Sequence, residues 1–101
     1  MSEKKAYQLS HHFSNLKSLQ SEKTITYSVL DRDGGSVISL EGLTPKAAYT
    51  ESCFLPGTAF AYAKDIAVLL CENSIDISTW KEALDEIGIE YILMESCGHK
   101  I

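Results

Sequence analysis

Thr24-Ile25-Thr26-Tyr27-Ser28-Val29-Leu30-Asp31-Arg32-Asp33-Gly34-Gly35-Ser36-Val37-Ile38-Ser39-Leu40-Glu41 is the stretch whose reading decides the fold. Ile25, Tyr27 and Val29 alternate with Thr26 and Ser28, the period of two expected of a strand buried on one face. Ile38 and Leu40 resume the alternation beyond Asp33-Gly34. Asp-Gly is a strong two-residue hairpin signal, because such turns favour positive φ at both central positions. A turn centred on Asp33-Gly34 sets Val29 opposite Ile38, Tyr27 opposite Leu40 and Ser28 opposite Ser39. Centring it on Gly34-Gly35 sets Asp31 opposite Ile38 and Tyr27 opposite Gly42. The first register pairs apolar with apolar, and burial of one face is what fixes register. The Asp33-Gly34 hairpin is therefore expected.

Upstream, Leu9, Phe13 and Leu16 recur at helical spacing within 6–20, which predicts an amphipathic helix before the hairpin. Downstream, Thr44-Pro45 reads as an N-cap followed by proline at the first helical position, so a short helix over 45–50 is expected. Residues 52–55 then form a brief strand closed by the Pro56-Gly57 turn. Thr58 opens a helix to about Cys71, with Phe60, Ala63, Ile66, Ala67 and Leu70 on one face and Val68 and Leu69 off it. That helix is expected to be central; the alternative makes 66–71 a buried strand. Thr79 and Glu82 have capping-box spacing, and Trp80, Ala83, Leu84 and Ile87 share a helical face. Gly88 supplies the C-terminal cap. Residues 89–95 follow as a strand, apolar on both faces and hence expected inside the sheet.

The order predicts a single α+β domain over 1–101, with the ends 1–5 and 97–101 frayed. Its architecture is a two-layer sandwich with a small, mostly antiparallel sheet: N-terminal helix, β-hairpin, further helices and a C-terminal strand.

The chain has 101 residues, of which 45% are hydrophobic and 23% charged, the balance of a globular domain and not of a disordered one. The longest uninterrupted apolar run, Ile66 to Cys71, is far short of the ~20 residues of a membrane span. The first residues are polar and lack an apolar signal core, so a cytoplasmic location is expected. Three cysteines without CxxC spacing suit free thiols in a reducing compartment. The net charge is −5, unevenly spread: residues 1–23 carry an excess of cations, and the rest of the chain is strongly acidic. Within 72–95, Lys81 is the only cation among Glu72, Asp76, Glu82, Asp85, Glu86, Glu90 and Glu95.

Chemistry-bearing motifs are sparse. No GxGxxG or P-loop is present, and the Asp31-x-Asp33-Gly34 stretch lacks calcium-loop spacing, with Gly42 at the twelfth position. No metal or cofactor is expected. Cys97-Gly98-His99 is the one thiol–imidazole pair close in sequence, and it supplies the alternative of a small enzyme or thiol-dependent protein. Ile66-Ala67-x-Leu69-Leu70, Ser78-Thr79-Trp80 and Leu84-x-x-Ile87-Gly88-Ile89 are similar to the apolar skeleton of a helix-turn-helix. That similarity supplies a nucleic-acid-binding alternative, opposed by acidic residues where a recognition helix needs donors and cations. The preferred expectation is a small, acidic, non-enzymatic interaction protein of the inhibitor, immunity or antitoxin kind. It binds a basic macromolecular partner through Glu82, Asp85, Glu86 and Glu90, and self-association through an exposed edge of the hairpin is an added possibility.

Overall fold

The hairpin forms in the expected register, with Val29 paired to Ile38, Tyr27 to Leu40 and Ser28 to Ser39. The computed structural model describes residues 5–13, 23–44 and 47–94. Along them run β1 (Ala6–Phe13), β2 (Lys23–Arg32), β3 (Gly35–Leu43), β4 (Ala48–Pro56), α1 (Phe60–Glu72), α2 (Trp80–Ile87) and β5 (Ile92–Met94). The strands form one antiparallel sheet in the order β1-β2-β3-β4-β5. At the hairpin turn only Gly34 takes a positive φ, of 85°, while Asp33 does not. The turn is therefore not the doubly left-handed type that Asp-Gly most often signals.

The alternating residues of β2 and β3 face the helices. Ile25, Tyr27, Val29, Ile38 and Leu40 are joined there by Cys53 and Leu55 of β4. Ala63, Ile66, Ala67 and Leu70 of α1 and Trp80 and Leu84 of α2 close the core from the other side. Two of these side chains carry polar groups, and each is satisfied. Trp80 Nε1 donates to Glu51 Oε1 at 2.8 Å, and the Tyr27 hydroxyl donates to the Ile75 carbonyl at 2.7 Å. The second bond ties the middle of β2 to the connection between the helices. Burial pushes the Tyr27 hydroxyl up to about 12, with the thiol of Cys71 and the carboxylate of Asp76 adding to the effect.

The structure departs from the sequence expectation at four places. The predicted N-terminal helix is the strand β1, paired with β2 over eight consecutive positions from Ala6↔Leu30 to Phe13↔Lys23. Tyr7, Leu9 and His11 thereby extend the apolar face of Val29, Tyr27 and Ile25. The predicted α+β sandwich with a leading helix is thus corrected to a mostly β structure, in which, among the described residues, four strands precede the first helix. Residues 14–20 of the predicted helix lie outside the described residues. Of the short helix expected over 45–50, residues 45–46 lie outside the described residues, and the rest leads into β4. Thr44 Oγ1 accepts from the Ala47 N–H at 3.0 Å, and Ala48 to Thr50 are already strand.

Helix α1 forms as expected, in preference to the alternative strand; the third departure is that it begins after Ala59 with no side-chain cap from Thr58. Its Leu69 is 44% exposed, so this helix has a bare flank where a central position was expected. Lastly, β5 is an edge strand of three residues, with Ile92 and Leu93 each more than half exposed. An interior position was expected for it. The hairpin, conversely, has no free edge, since β1 and β4 flank it.

Gly35 marks the tightest backbone approach in the sheet. A Cβ there would lie 2.2 Å from the Leu55 carbonyl oxygen, and the neighbouring Gly57 N–H donates to the Gly34 carbonyl at 2.7 Å. Only a residue without a side chain lets β4 close on the hairpin turn at this point.

Candidate functional site

Helix α1 ends on Asn73-Ser74-Ile75, and its closure sets the geometry of everything beyond it. The Ile75 N–H donates to the Leu70 carbonyl and the Ser74 N–H to the Cys71 carbonyl, each at 3.0 Å. This is the paired-bond termination in which the penultimate residue is left-handed, usually a glycine. Here Ser74 takes that position with a φ of 54°. The Asn73 side chain adds a bond to the Leu69 carbonyl at 2.8 Å. The Asp76 side chain then accepts from Lys23 Nζ at 2.6 Å and from the Ile77 N–H, also at 2.6 Å. Helix α2 starts after Thr79, which lacks the expected side-chain cap bond, and stops at Gly88 in the left-handed conformation.

A groove of about 490 Å³ runs between the end of α1 and the side of α2. Leu69, Leu70, Ile75, Ala83 and Ile87 supply its apolar walls, and Glu86 stands at its side. Val68 and Leu69, off the main apolar face of α1, were the sequence's only hint of such a flank. The groove itself depends on how the Ser74 turn sets the two helices, which no periodicity reports.

Glu82, Asp85, Glu86 and Glu90 are all exposed, as is Glu72 at the end of α1. Glu82 lies in the first turn of α2, where a carboxylate interacts favourably with the positive end of the helix. Glu72 belongs to the last turn of α1, and Asp85 and Glu86 to the last turn of α2. Neither turn contains a basic residue. These three carboxylates thus add to the negative helix ends in place of neutralising them. The local cation, Lys81, is turned away toward β4, where it lies 3.7 Å from Glu51 Oε1. Near Asp85, the Tyr91 hydroxyl is raised from its ordinary value by burial first and by the Asp85 carboxylate as well.

A second concavity, about 330 Å³, lies on the sheet face away from the helices. Ala6, Leu30 and Val37 line it with Gln8, Ser28 and Ser39, and it contains no charged group. Comparison of the chain with protein-family models, curated proteins and solved structures finds no match.

Among the described residues, no group of three or more His, Cys, Asp or Glu side chains is placed to hold a metal ion. Burial pushes the Cys53 thiol up to about 11, aided by the Glu51 carboxylate, and raises that of Cys71 as well. Both shifts run opposite to the depressed pKa of a nucleophilic thiol. Cys97 and His99 lie outside the described residues. As for the helix-turn-helix alternative, α2 presents Glu82, Asp85 and Glu86 to solvent, and these repel phosphates. No described helix is long and apolar enough to cross a membrane.

Proposed function

We propose that this chain is a non-enzymatic interaction protein that binds a basic segment of a partner protein, in the manner of a small inhibitor, immunity protein or antitoxin-like regulator. One observation supports the reading most. Glu72, Asp85 and Glu86 stand at the negative ends of the two helices, uncompensated by any basic residue in either last turn. Carboxylates at such positions work against helix stability, so folding alone gives no reason for them. A cationic partner turns the same arrangement into an attraction, and fixed charges on rigid helices give fast, salt-sensitive association. The reading places the protein in the cytoplasm, where the free thiols of Cys53 and Cys71 stay reduced.

The test is co-purification from the native cell at low and high salt, using wild-type protein and the double variant Glu82→Lys with Glu86→Lys. Basic proteins retained by wild type, released by salt and lost from the variant support the reading. Capture that ignores both salt and charge reversal overturns it.

A second reading, self-association, rests on β1 in place of the hairpin. The Asp31 N–H donates to the Lys5 carbonyl at 2.8 Å, so alternate residues from Lys5 onward bond inward to β2. Ala6, Gln8, Ser10 and His12 turn their backbone groups to the outer edge, which no described strand covers. The edge has neither a lysine nor a proline within Ala6–Phe13 to discourage pairing. Light scattering decides this: a dimer that Gln8→Pro dissolves supports it, and a monomer at high concentration ends it.

A further inference from the structure

The groove between α1 and α2 combines two properties that the acidic surface alone does not have: apolar walls and a negative rim. Leu69, Ile75, Ala83 and Ile87 are only partly buried, so apolar surface stays in contact with water along the groove. Glu86 stands in the lining, and Glu72 follows Leu69 by three positions, on the same side of α1. Residues of both helices' last turns, Leu69 and Leu70 of α1 and Glu86 and Ile87 of α2, line this region, and neither turn holds a basic side chain.

We infer that this groove seats the apolar stripe of a short, amphipathic, lysine- or arginine-rich helix of the partner protein. The inference rests on the interaction reading above and names the chemistry of the segment bound. An apolar anchor enters between Leu69 and Ile87, while flanking cations reach Glu72, Glu82 and Glu86. Long basic side chains suit this place because their methylene stems lie on apolar walls while the charged heads reach the rim. The groove's volume lies within the range of sites that enclose a ligand-sized apolar group. The uncharged concavity on the far side of the sheet offers apolar surface without a rim, and so provides the internal comparison.

The experiment uses fluorescence anisotropy with three labelled peptides of about twelve residues, a length that presents i, i+3, i+4 and i+7 anchors. One is an amphipathic leucine–lysine helix, one replaces every leucine by serine at equal charge, and one replaces every lysine by glutamate. The full chain is expected to bind the leucine–lysine peptide about tenfold or more tightly than the serine–lysine peptide, and the leucine–glutamate peptide not at all. Leu69→Ser removes a wall at an exposed position, and Ala83→Leu fills the groove without removing apolar surface. Each is expected to shrink the leucine advantage to about twofold or less while the salt dependence of lysine-peptide binding persists. Equal binding of the two lysine peptides, or an advantage that survives both variants, overturns the groove and leaves the acidic-surface reading standing. Binding of lysine peptides that is absent or indifferent to salt overturns both.

Discussion

Glu86→Lys is the substitution in which the reasoning is most exposed, because it is expected to improve the fold while destroying the proposed function. Glu86 lies in the last turn of α2, a turn without a basic residue, and four residues after Glu82. A charge near a helix end contributes about 0.3–1 kcal/mol at an exposed site, and reversal replaces an unfavourable contact by a favourable one. The like-charge Glu82–Glu86 pair also becomes a Glu–Lys pair in the better orientation, a change of roughly 0.4–1 kcal/mol. Discounting for screening, the variant is expected to gain about 1 kcal/mol at low ionic strength. For a domain of this size that raises Tm by roughly 4–8 °C. Thermal and urea denaturation at low and at molar salt measure it, and most of the gain should vanish at high salt. The same protein should bind a lysine-rich peptide several-fold more weakly. An unchanged or lowered Tm at low salt refutes the view that this carboxylate is held against stability. A raised Tm with undiminished peptide binding refutes the function assigned to it.

Other expected outcomes test the fold beneath the surface. Tyr27 is held neutral by the native state, its hydroxyl pushed up to about 12 from an ordinary value of 10.0. Its contribution to stability is therefore complete below about pH 10 and is lost as pH rises toward about 12, so phenolate formation at Tyr27 should coincide with loss of structure. Tyr27→Phe should remove that alkaline dependence and lower stability by about 1 kcal/mol near neutrality, since the Ile75 carbonyl loses its donor. An alkaline unfolding curve unchanged by the substitution counts against it. Gly35→Ala places a methyl group against the Leu55 carbonyl and should cost at least about 2 kcal/mol; a denaturation midpoint within error of wild type contradicts the approach described. Ser74→Gly relieves a left-handed serine and should raise the urea midpoint by the equivalent of about 0.5–1 kcal/mol with an unchanged m-value. A lowered midpoint shows that the exposed Ser74–His11 contact at 3.3 Å outweighs the backbone strain.

The hairpin was readable because Ile25, Tyr27 and Val29 match Ile38 and Leu40 in only one register that buries a face. Residues 6–13 were misread because Leu9 and Phe13 are four apart, a spacing that suits a helix turn and a strand face equally. Tyr7 and His11 complete the strand pattern, but only partners on β2, more than a dozen residues away, make that pattern decisive. Apolar residues on both faces of 89–95 suit an interior strand, whereas Ile92–Met94 lies at the sheet's edge. Its two exposed residues show that apolar composition does not fix position in a sheet. At the candidate site, the exposure of Glu82, Asp85 and Glu86 followed from helical periodicity around Trp80 and Leu84. The groove beside them did not, because it is a property of two helices and of the Ser74 turn that orients them.

The strand order has a consequence for where the chain can change. Pairings among β1, β2, β3 and β4 join neighbours in sequence, whereas β5 returns to β4 only after both helices have been traversed. The helices and the groove thus occupy one long excursion from an otherwise sequential meander. Its return is fastened by the three-residue strand Ile92–Met94. Hydrogen exchange should find this strand opening first and the β2–β3 pair last. The surface available to partners is then carried on the solvent side of that excursion, free to be retuned residue by residue while the side that packs on the sheet through Leu70, Trp80 and Leu84 stays as it is.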